Sequence, residues 1–147
     1  MAELQFHEVT ISNIAQLKVL NSSILPVFYN EKFYQNVLKT PDLSRLVSNN
    51  GKYIGMVCCK VEGGKMYILT LGCLAVCRRR GIGSQLLEFA LEQAKLRSLP
   101  IELHVQITNE DAVNFYERFG FKIVKKVENY YRYLNPRDAY ILERLVS

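Results

Sequence analysis

Three consecutive arginines, Arg78, Arg79 and Arg80, run into Gly81-Ile82-Gly83-Ser84, and this basic, glycine-spaced turn is the stretch best suited to chemistry. The residues before it, from Met66 through Leu69, Leu71 and Cys73 to Val76, form a mostly apolar run of strand length, and those after it, Gln85 to Leu91, have helical spacing. A strand that turns into a helix presents backbone N–H groups without intrahelical partners at the positive end of a macrodipole. Glycine lets the main chain lie against an anion, and guanidinium groups donate charge-assisted hydrogen bonds to phosphate oxygens. The turn therefore reads as a phosphate cradle. It is neither Gly-x-x-x-x-Gly-Lys-Ser/Thr nor Gly-x-Gly-x-x-Gly, so a nucleoside triphosphate and a dinucleotide are weaker candidates. As a bare pattern it fits a plain basic turn equally well.

His104 is the second candidate. Ile101, Leu103, Val105 and Ile107 alternate with Glu102, His104 and Gln106, so the imidazole points away from the apolar face of a strand. A neutral imidazole accepts protons near neutral pH, although a lone histidine on such a strand is more often an ordinary polar surface residue. Cys73 and Cys77 are nucleophile candidates with no histidine near them in sequence. Cys58 and Cys59 are adjacent and point to opposite faces, and the four cysteines lack metal-ligand spacing. They read as small buried hydrophobes, and no metal is expected.

These residues need elements to hold them. Leu4 to Thr10 predicts an edge strand. Ser12 or Asn13 can cap a helix with Ile14, Leu17, Val19 and Leu20 on its apolar face, ending before Pro26. The connection Ile24-Leu25-Pro26-Val27-Phe28-Tyr29 is unusually apolar; such a segment either tucks into the core or walls a binding slot. Glu31 to Lys39 predicts a second helix. Asn49-Asn50-Gly51 and Glu62-Gly63-Gly64-Lys65 are turn signals that join Leu43 to Ser48, Lys52 to Val61 and the strand from Met66 into an antiparallel meander. A helix from Ser84 to Arg97 then crosses to the strand of His104. Glu110 to Phe119 predicts a helix ended by Gly120, before final strands at Phe121 to Val127 and Ala139 to Leu145.

At 147 residues, with 49% hydrophobic and 22% charged residues, the chain predicts one soluble domain over residues 1–147. No signal peptide or membrane-length apolar run is read, so no membrane partner is expected and the expected place is the cytoplasm, with the nucleus as an alternative. The net charge of +5 is local: Arg78 to Arg80 carry +3 and Gly120 to Arg137 carry +4, leaving −2 for the rest. Such a patch suits a polyanionic small ligand or a short nucleic-acid footprint. The aromatic run Tyr130 to Tyr133, interleaved with Arg132, has the composition of a single-strand platform.

Two motifs taken together resemble a known family. Arg78-Arg79-Arg80-Gly81-Ile82-Gly83 after an apolar strand, followed some thirty residues on by Asn109-x-x-Ala112-x-x-Phe115-Tyr116-x-x-Phe119-Gly120-Phe121, is similar to the GCN5-related N-acetyltransferases. The second motif is the more specific, and the predicted order β-α-α-β-β-β-α-β-α-β-β matches over essentially the whole chain. The resemblance implies an α/β (α+β) GNAT fold: a mixed, mostly antiparallel sheet of about seven strands flanked by about four helices. Tyr67 to Ala75, Leu103 to Ile107 and Asn129 to Arg132 resemble, more narrowly, the catalytic subunit of the NatE type of protein N-terminal acetyltransferase. That branch acetylates the α-amino group of nascent chains that keep Met followed by a hydrophobic residue.

By position, the resemblance implies acetyl-coenzyme A as co-substrate, with Leu71, Cys73, Arg78 to Ser84, Asn109 and Tyr116 in contact with it. It places Tyr67 and His104 at the amine, in the family through an ordered water, a main-chain N–H near Leu71 at the developing oxyanion, and Tyr116 at the leaving thiolate. Leu25, Pro26, Val27, Tyr29, Leu69, Tyr130 and Tyr131 would clamp the N-terminal peptide of a nascent protein. The ribosome-associated NatA complex is the implied partner, and no specific nucleic acid is expected. The chain departs from the family at Leu25, where a phenylalanine is usual, at Leu69, where a methionine is, and at Val76-Cys77 in place of a proline and an aromatic. The pocket for the first residue is therefore expected to be reshaped. Two alternatives remain: a lysine or small-amine acetyltransferase of the same fold, and an RNA- or ribosome-binding module on an acetyltransferase-like scaffold.

Overall fold

The computed structural model describes residues 4–25 and 27–146. Among them the elements follow in the order β1 (Leu4–His7), α1 (Ile14–Ile24), α2 (Glu31–Lys39), β2 (Ser44–Asn49), β3 (Lys52–Glu62), β4 (Lys65–Cys73), α3 (Ile82–Leu96), β5 (Ile101–Gln106), α4 (Glu110–Arg118), β6 (Lys122–Val127) and β7 (Ala139–Arg144). Short 3-10 turns at Pro41–Leu43 and Ala75–Cys77 precede β2 and the arginine run. The seven strands form one sheet in the order β1-β2-β3-β4-β5-β7-β6. This is the mixed α/β architecture that the sequence predicts, in the predicted order of elements.

The residues group into two compact units. The first comprises Met1–Lys60 and Ile68–Gln93. In it β1 and β2 pair antiparallel, as do β2 and β3, around the Asn50-Gly51 turn, where both residues take positive φ. Leu17, Leu20, Tyr34, Val37, Leu46 and Met56 form the heart of its core. Leu86, Leu87 and Ala90 of α3 are fully buried, recurring at helical spacing as a core-facing stripe must.

The second unit comprises Val61–Tyr67 and Ala94–Ser147. Here β4 joins β5 in parallel at Met66↔Ile101 and Tyr67↔Glu102, β5 pairs antiparallel with β7, and β7 with β6. Ile101, Leu103, Val105, Phe121, Ala139 and Leu142 are buried. Alternation on β5 and β7 puts Ile101, Leu103, Val105 and Leu142 on one side and leaves His104 and Ile141, which face each other in register, on the other together with Ala139.

Several expectations need correction. β1 stops at His7 rather than Thr10, and α3 begins at Ile82 rather than Ser84, so Gly83 lies inside the helix. Ile107 leaves the strand, its N–H donating to the Asp138 carbonyl at 3.1 Å. Val19 is exposed, because the buried stripe of α1 passes through Leu17, Leu20 and Asn21 instead. Asn13 precedes α1 without capping it: its side chain accepts from the Thr10 N–H at 2.8 Å and donates to the Glu8 carbonyl at 2.9 Å, holding the turn out of β1.

Candidate active site

The basic turn belongs to the first unit. After β4 the chain makes the Ala75–Cys77 turn, closed by the Cys77 N–H to the Leu74 carbonyl at 2.8 Å, and then exposes Arg78, Arg79 and Arg80. Two left-handed residues, Arg79 at φ 65° and Gly81 at φ 77°, turn the main chain into α3. A Cβ placed on Gly81 would meet nothing within 4 Å, so the approach to the helix start is open. Ile82 is buried and anchors the first turn in the core, while Gly83 and Ser84 follow it in α3, where N–H groups lack helical acceptors. Exposed guanidinium groups, an open glycine and a helix N-terminus fit the pyrophosphate of a coenzyme A. Of the two glycines only Gly81 supplies a left-handed turn.

Leu71 and Cys73 end β4 and are half-buried. Burial chiefly, then Cys77, pushes the Cys73 thiol above its usual range against the opposing pull of Arg78. Cys77 is buried, and burial holds Cys58 up at about 11 against the weaker opposing pull of the neighbouring Thr70 and Ser44 hydroxyls. A thiol that resists ionisation is a poor nucleophile.

Of the residues proposed to clamp a peptide, Leu25, Val27, Tyr29 and Leu69 also lie in the first unit, and Pro26 is outside the described residues. Leu25 caps α1 through its N–H to the Asn21 carbonyl at 3.0 Å and is extended, and Val27 is half-buried. The Tyr29 hydroxyl donates to the Leu69 carbonyl at 3.2 Å, and its ring tilts against Phe33 with centroids 4.4 Å apart. Two of the expected peptide contacts are thus brought together. Sequence reasoning missed what lets α1 approach β4: a Cβ on Gly72 would stand 2.7 Å from Ile24 Cγ2, and one on Gly55 2.9 Å from the Gly72 carbonyl oxygen. Glycine inside a strand was the available signal.

The second unit carries the proposed base. His104 on β5 is half-buried and lies flat against Tyr130, centroids 4.1 Å apart and planes 5° apart. Burial lowers its proton affinity below the usual 6.5, partly countered by the carboxylate of Glu102. Tyr130 in turn meets Tyr131 edge to face at 4.9 Å. Tyr131 is tied down by its N–H to the Arg137 carbonyl at 2.8 Å, and burial, then Tyr130, pushes its phenol up to about 12. Asp138 orders the same connection, accepting from the Asn129 N–H at 2.9 Å. Arg132, Tyr133 and Arg137 help line a shallow concavity of about 610 Å³ there.

Tyr67 stands opposite Glu102 in register, hence on the same side of the sheet as His104 two residues on. Asn109 caps α4, its side chain accepting from the Ala112 N–H at 3.2 Å. Tyr116 is buried between Phe115 and Phe121, at 5.1 and 5.5 Å, so its ring is a core contact. Glu102, which alternates off the apolar face, is only 8% exposed and paired with Lys65 at 3.0 Å, a partnership that periodicity could not reveal. Among the described residues no group of three acidic, cysteine or histidine side chains could hold a metal ion.

Comparison with known proteins agrees with these features. The acetyltransferase (GNAT) family matches residues 14–121. N-alpha-acetyltransferase 50 of Danio rerio is 44% identical over 96% of this chain and 88% of its own length, and the probable N-acetyltransferase san of Drosophila melanogaster is 42% identical over 97% and 81%. Among solved structures, Arabidopsis thaliana Naa50 in complex with the bisubstrate analogue CoA-Ac-MVNAL superposes with a TM-score of 0.91 at 39% identity, covering 96% of this chain and 97% of that one.

Proposed function

The chain belongs to the acetyltransferase (GNAT) family and is an N-terminal acetyltransferase that draws on acetyl-coenzyme A, and we propose that its substrates are nascent chains that keep Met followed by a hydrophobic residue. The single observation that carries the reading is the half-buried, stacked imidazole of His104, kept neutral by burial. The Met-Val start of the peptide part of the analogue held by the Arabidopsis protein supports the substrate class.

The chemistry asks little of a base. An α-amino group of pKa about 7.7–8.0 is already about a tenth neutral at pH 7, against about one part in several thousand for a lysine. His104, with Tyr67 orienting a relaying water, takes the proton as the amine nitrogen forms its bond to the acetyl carbon and the carbon–sulfur bond breaks. The main-chain N–H near Leu71 meets the negative charge that develops on the carbonyl oxygen. Tyr116 returns a proton to the leaving thiolate, Arg78 to Arg80 with the N–H groups of Gly83 and Ser84 hold the pyrophosphate, and Asn109 adds a polar contact. Leu25, Val27, Tyr29 and Leu69 of the first unit, and Tyr130 and Tyr131 of the second, each offer the peptide apolar or aromatic surface. The raised thiol of Cys73 favours direct transfer in a ternary complex over an acetyl-cysteine. Such substrates emerge at the ribosome, so the proposed setting is the cytoplasm and the proposed partner the ribosome-associated NatA complex.

A panel of free-N-terminal peptides with acetyl-coenzyme A, varied at the first two residues, tests the substrate. Turnover is expected on Met-Val and Met-Leu members and not on N-terminally blocked peptides carrying an internal lysine. No turnover on any Met-hydrophobic member sinks the assignment; activity confined to the blocked lysine peptides makes the protein a lysine acetyltransferase instead.

A further inference from the structure

Three charges occupy the side of the sheet that His104 faces. Lys65 Nζ sits between two carboxylates, 3.0 Å from Glu102 Oε1 and 2.8 Å from Glu143 Oε2. Register places them in a row: Glu102 is opposite both Tyr67 of β4 and Glu143 of β7, Lys65 precedes Tyr67 by two residues, and Glu102 precedes His104 by two. Side chains two apart on a strand share a face and stand about 7 Å apart. Glu102 is 8% exposed, and burying a carboxylate is costly unless it is paired. An apolar pair would cover the strands at lower cost, so the presence of ionised groups beside a proton acceptor needs a reason.

We propose that the Lys65–Glu102–Glu143 cluster is a positioning device for His104, its charges setting how readily the imidazole takes the proton of the substrate amine. This rests on the reading of His104 as the base. The carboxylate of Glu102 favours the imidazolium, against the burial that disfavours it. Lys65 limits that effect by drawing the field of Glu102 onto itself, and the two carboxylates raise the proton affinity of the Lys65 amine in return, Glu143 more than Glu102. Among the described residues, Tyr67 from β4, Tyr130 from the segment after β6 with Tyr131 edge-on against it, Ile141 from β7 and, opposite Ile141, Lys125 of β6 also lie on this side. Of the cationic and carboxylate groups in this set, only the cluster is locked in place by short ion pairs.

The test is proton NMR titration of the imidazole in the full chain without ligands. The sequence holds two histidines, His7 and His104, so His7→Gln assigns the signals. Glu102→Gln is expected to lower the His104 pKa and Lys65→Met to raise it, each by on the order of half a pH unit or more, whereas Lys65→Arg leaves it in place. The acid limb of kcat/KM should move the same way in each variant. Opposite signs are a signature that general loosening does not produce. Should Lys65→Met fail to fold, Glu143→Gln, which keeps Lys65 paired with Glu102, must lower the pKa. An unmoved imidazole, or shifts of one sign in Glu102→Gln and Lys65→Met, overturns the proposal and leaves the base reading standing. Full activity in His104→Ala sinks the base reading whatever the titration shows.

Discussion

The imidazole of His104 lies parallel to the phenol ring of Tyr130, 4.1 Å between centroids and 5° between planes. The stack covers one face of the ring and fixes its orientation, so a side chain that rotates freely on most strands has one direction in which to accept a proton. Tyr130→Phe keeps the stack and should keep kcat/KM near that of the parent. Tyr130→Ala uncovers the ring, costs about 0.5–1.5 kcal/mol of stacking and should lower kcat/KM roughly two- to tenfold. The His104 pKa should rise toward 6.5 in that variant, because the burial that depresses it is relieved. Steady-state kinetics and ring-proton titration read both effects.

A depressed histidine also dictates the pH dependence. kcat/KM should rise through two ionisations, the substrate amine at about 8 and His104 below 6.5; changing the peptide should move only the upper one. For the fold the sign is fixed by linkage. The unfolded chain takes a proton on His104 near 6.5 and the folded chain only at a lower pH, so the contribution is complete above 6.5 and is lost as pH falls through the folded pKa. Denaturant midpoints at about pH 7.5 and 5.5 should differ less in His104→Gln than in the parent.

The basic turn should act on the co-substrate alone. Arg79→Gly removes a guanidinium and at the same time relieves a left-handed non-glycine residue at φ 65°. The KM for acetyl-coenzyme A should rise roughly tenfold, from the loss of a charge-assisted bond, with the peptide KM unchanged. The melting temperature should hold or increase. High salt should shrink the difference between variant and parent.

Asn109 can be both helix cap and coenzyme contact, and two substitutions separate the roles. Asn109→Ala loses the bond to the Ala112 N–H and about 0.5–2 kcal/mol of stability. Asn109→Asp retains a capping oxygen and should restore the stability, yet its negative charge should still raise the KM for acetyl-coenzyme A. Equal recovery of stability and KM in the aspartate variant would confine the residue to capping.

The sequence was most readable where a single period decides the outcome. Alternation from Ile101 to Gln106 put His104 off the apolar side, and Asn50-Gly51 and Gly120 take the positive φ their positions demand. It was least readable where a second element decides. Alternation set Glu102 on the face of His104 without saying what covers that face; Lys65 and Glu143, which pair there, come from strands far away in sequence. Val19 fitted helical spacing as well as Leu17 and Leu20 did, and only packing selected the narrower stripe. Gly83 looked like part of the turn, since glycine disfavours helices, but the buried Ile82 holds that turn helical. The stack of His104 on Tyr130 joins residues 26 apart, and Tyr130 lies in a connection without regular structure, where no periodicity operates.

β6 ends the strand order, and it carries Lys122, Lys125 and Lys126, all exposed, with a register shift against β7 between Ile123 and Lys125. An outermost strand offers unpaired backbone groups on which another chain can extend the ladder, and Ile123 and Val124 add exposed apolar surface there. Repelling like charges and an irregular edge make that pairing unfavourable. Charge on β6 thus disfavours edge-to-edge pairing of folded chains, a consequence independent of any acetyl transfer.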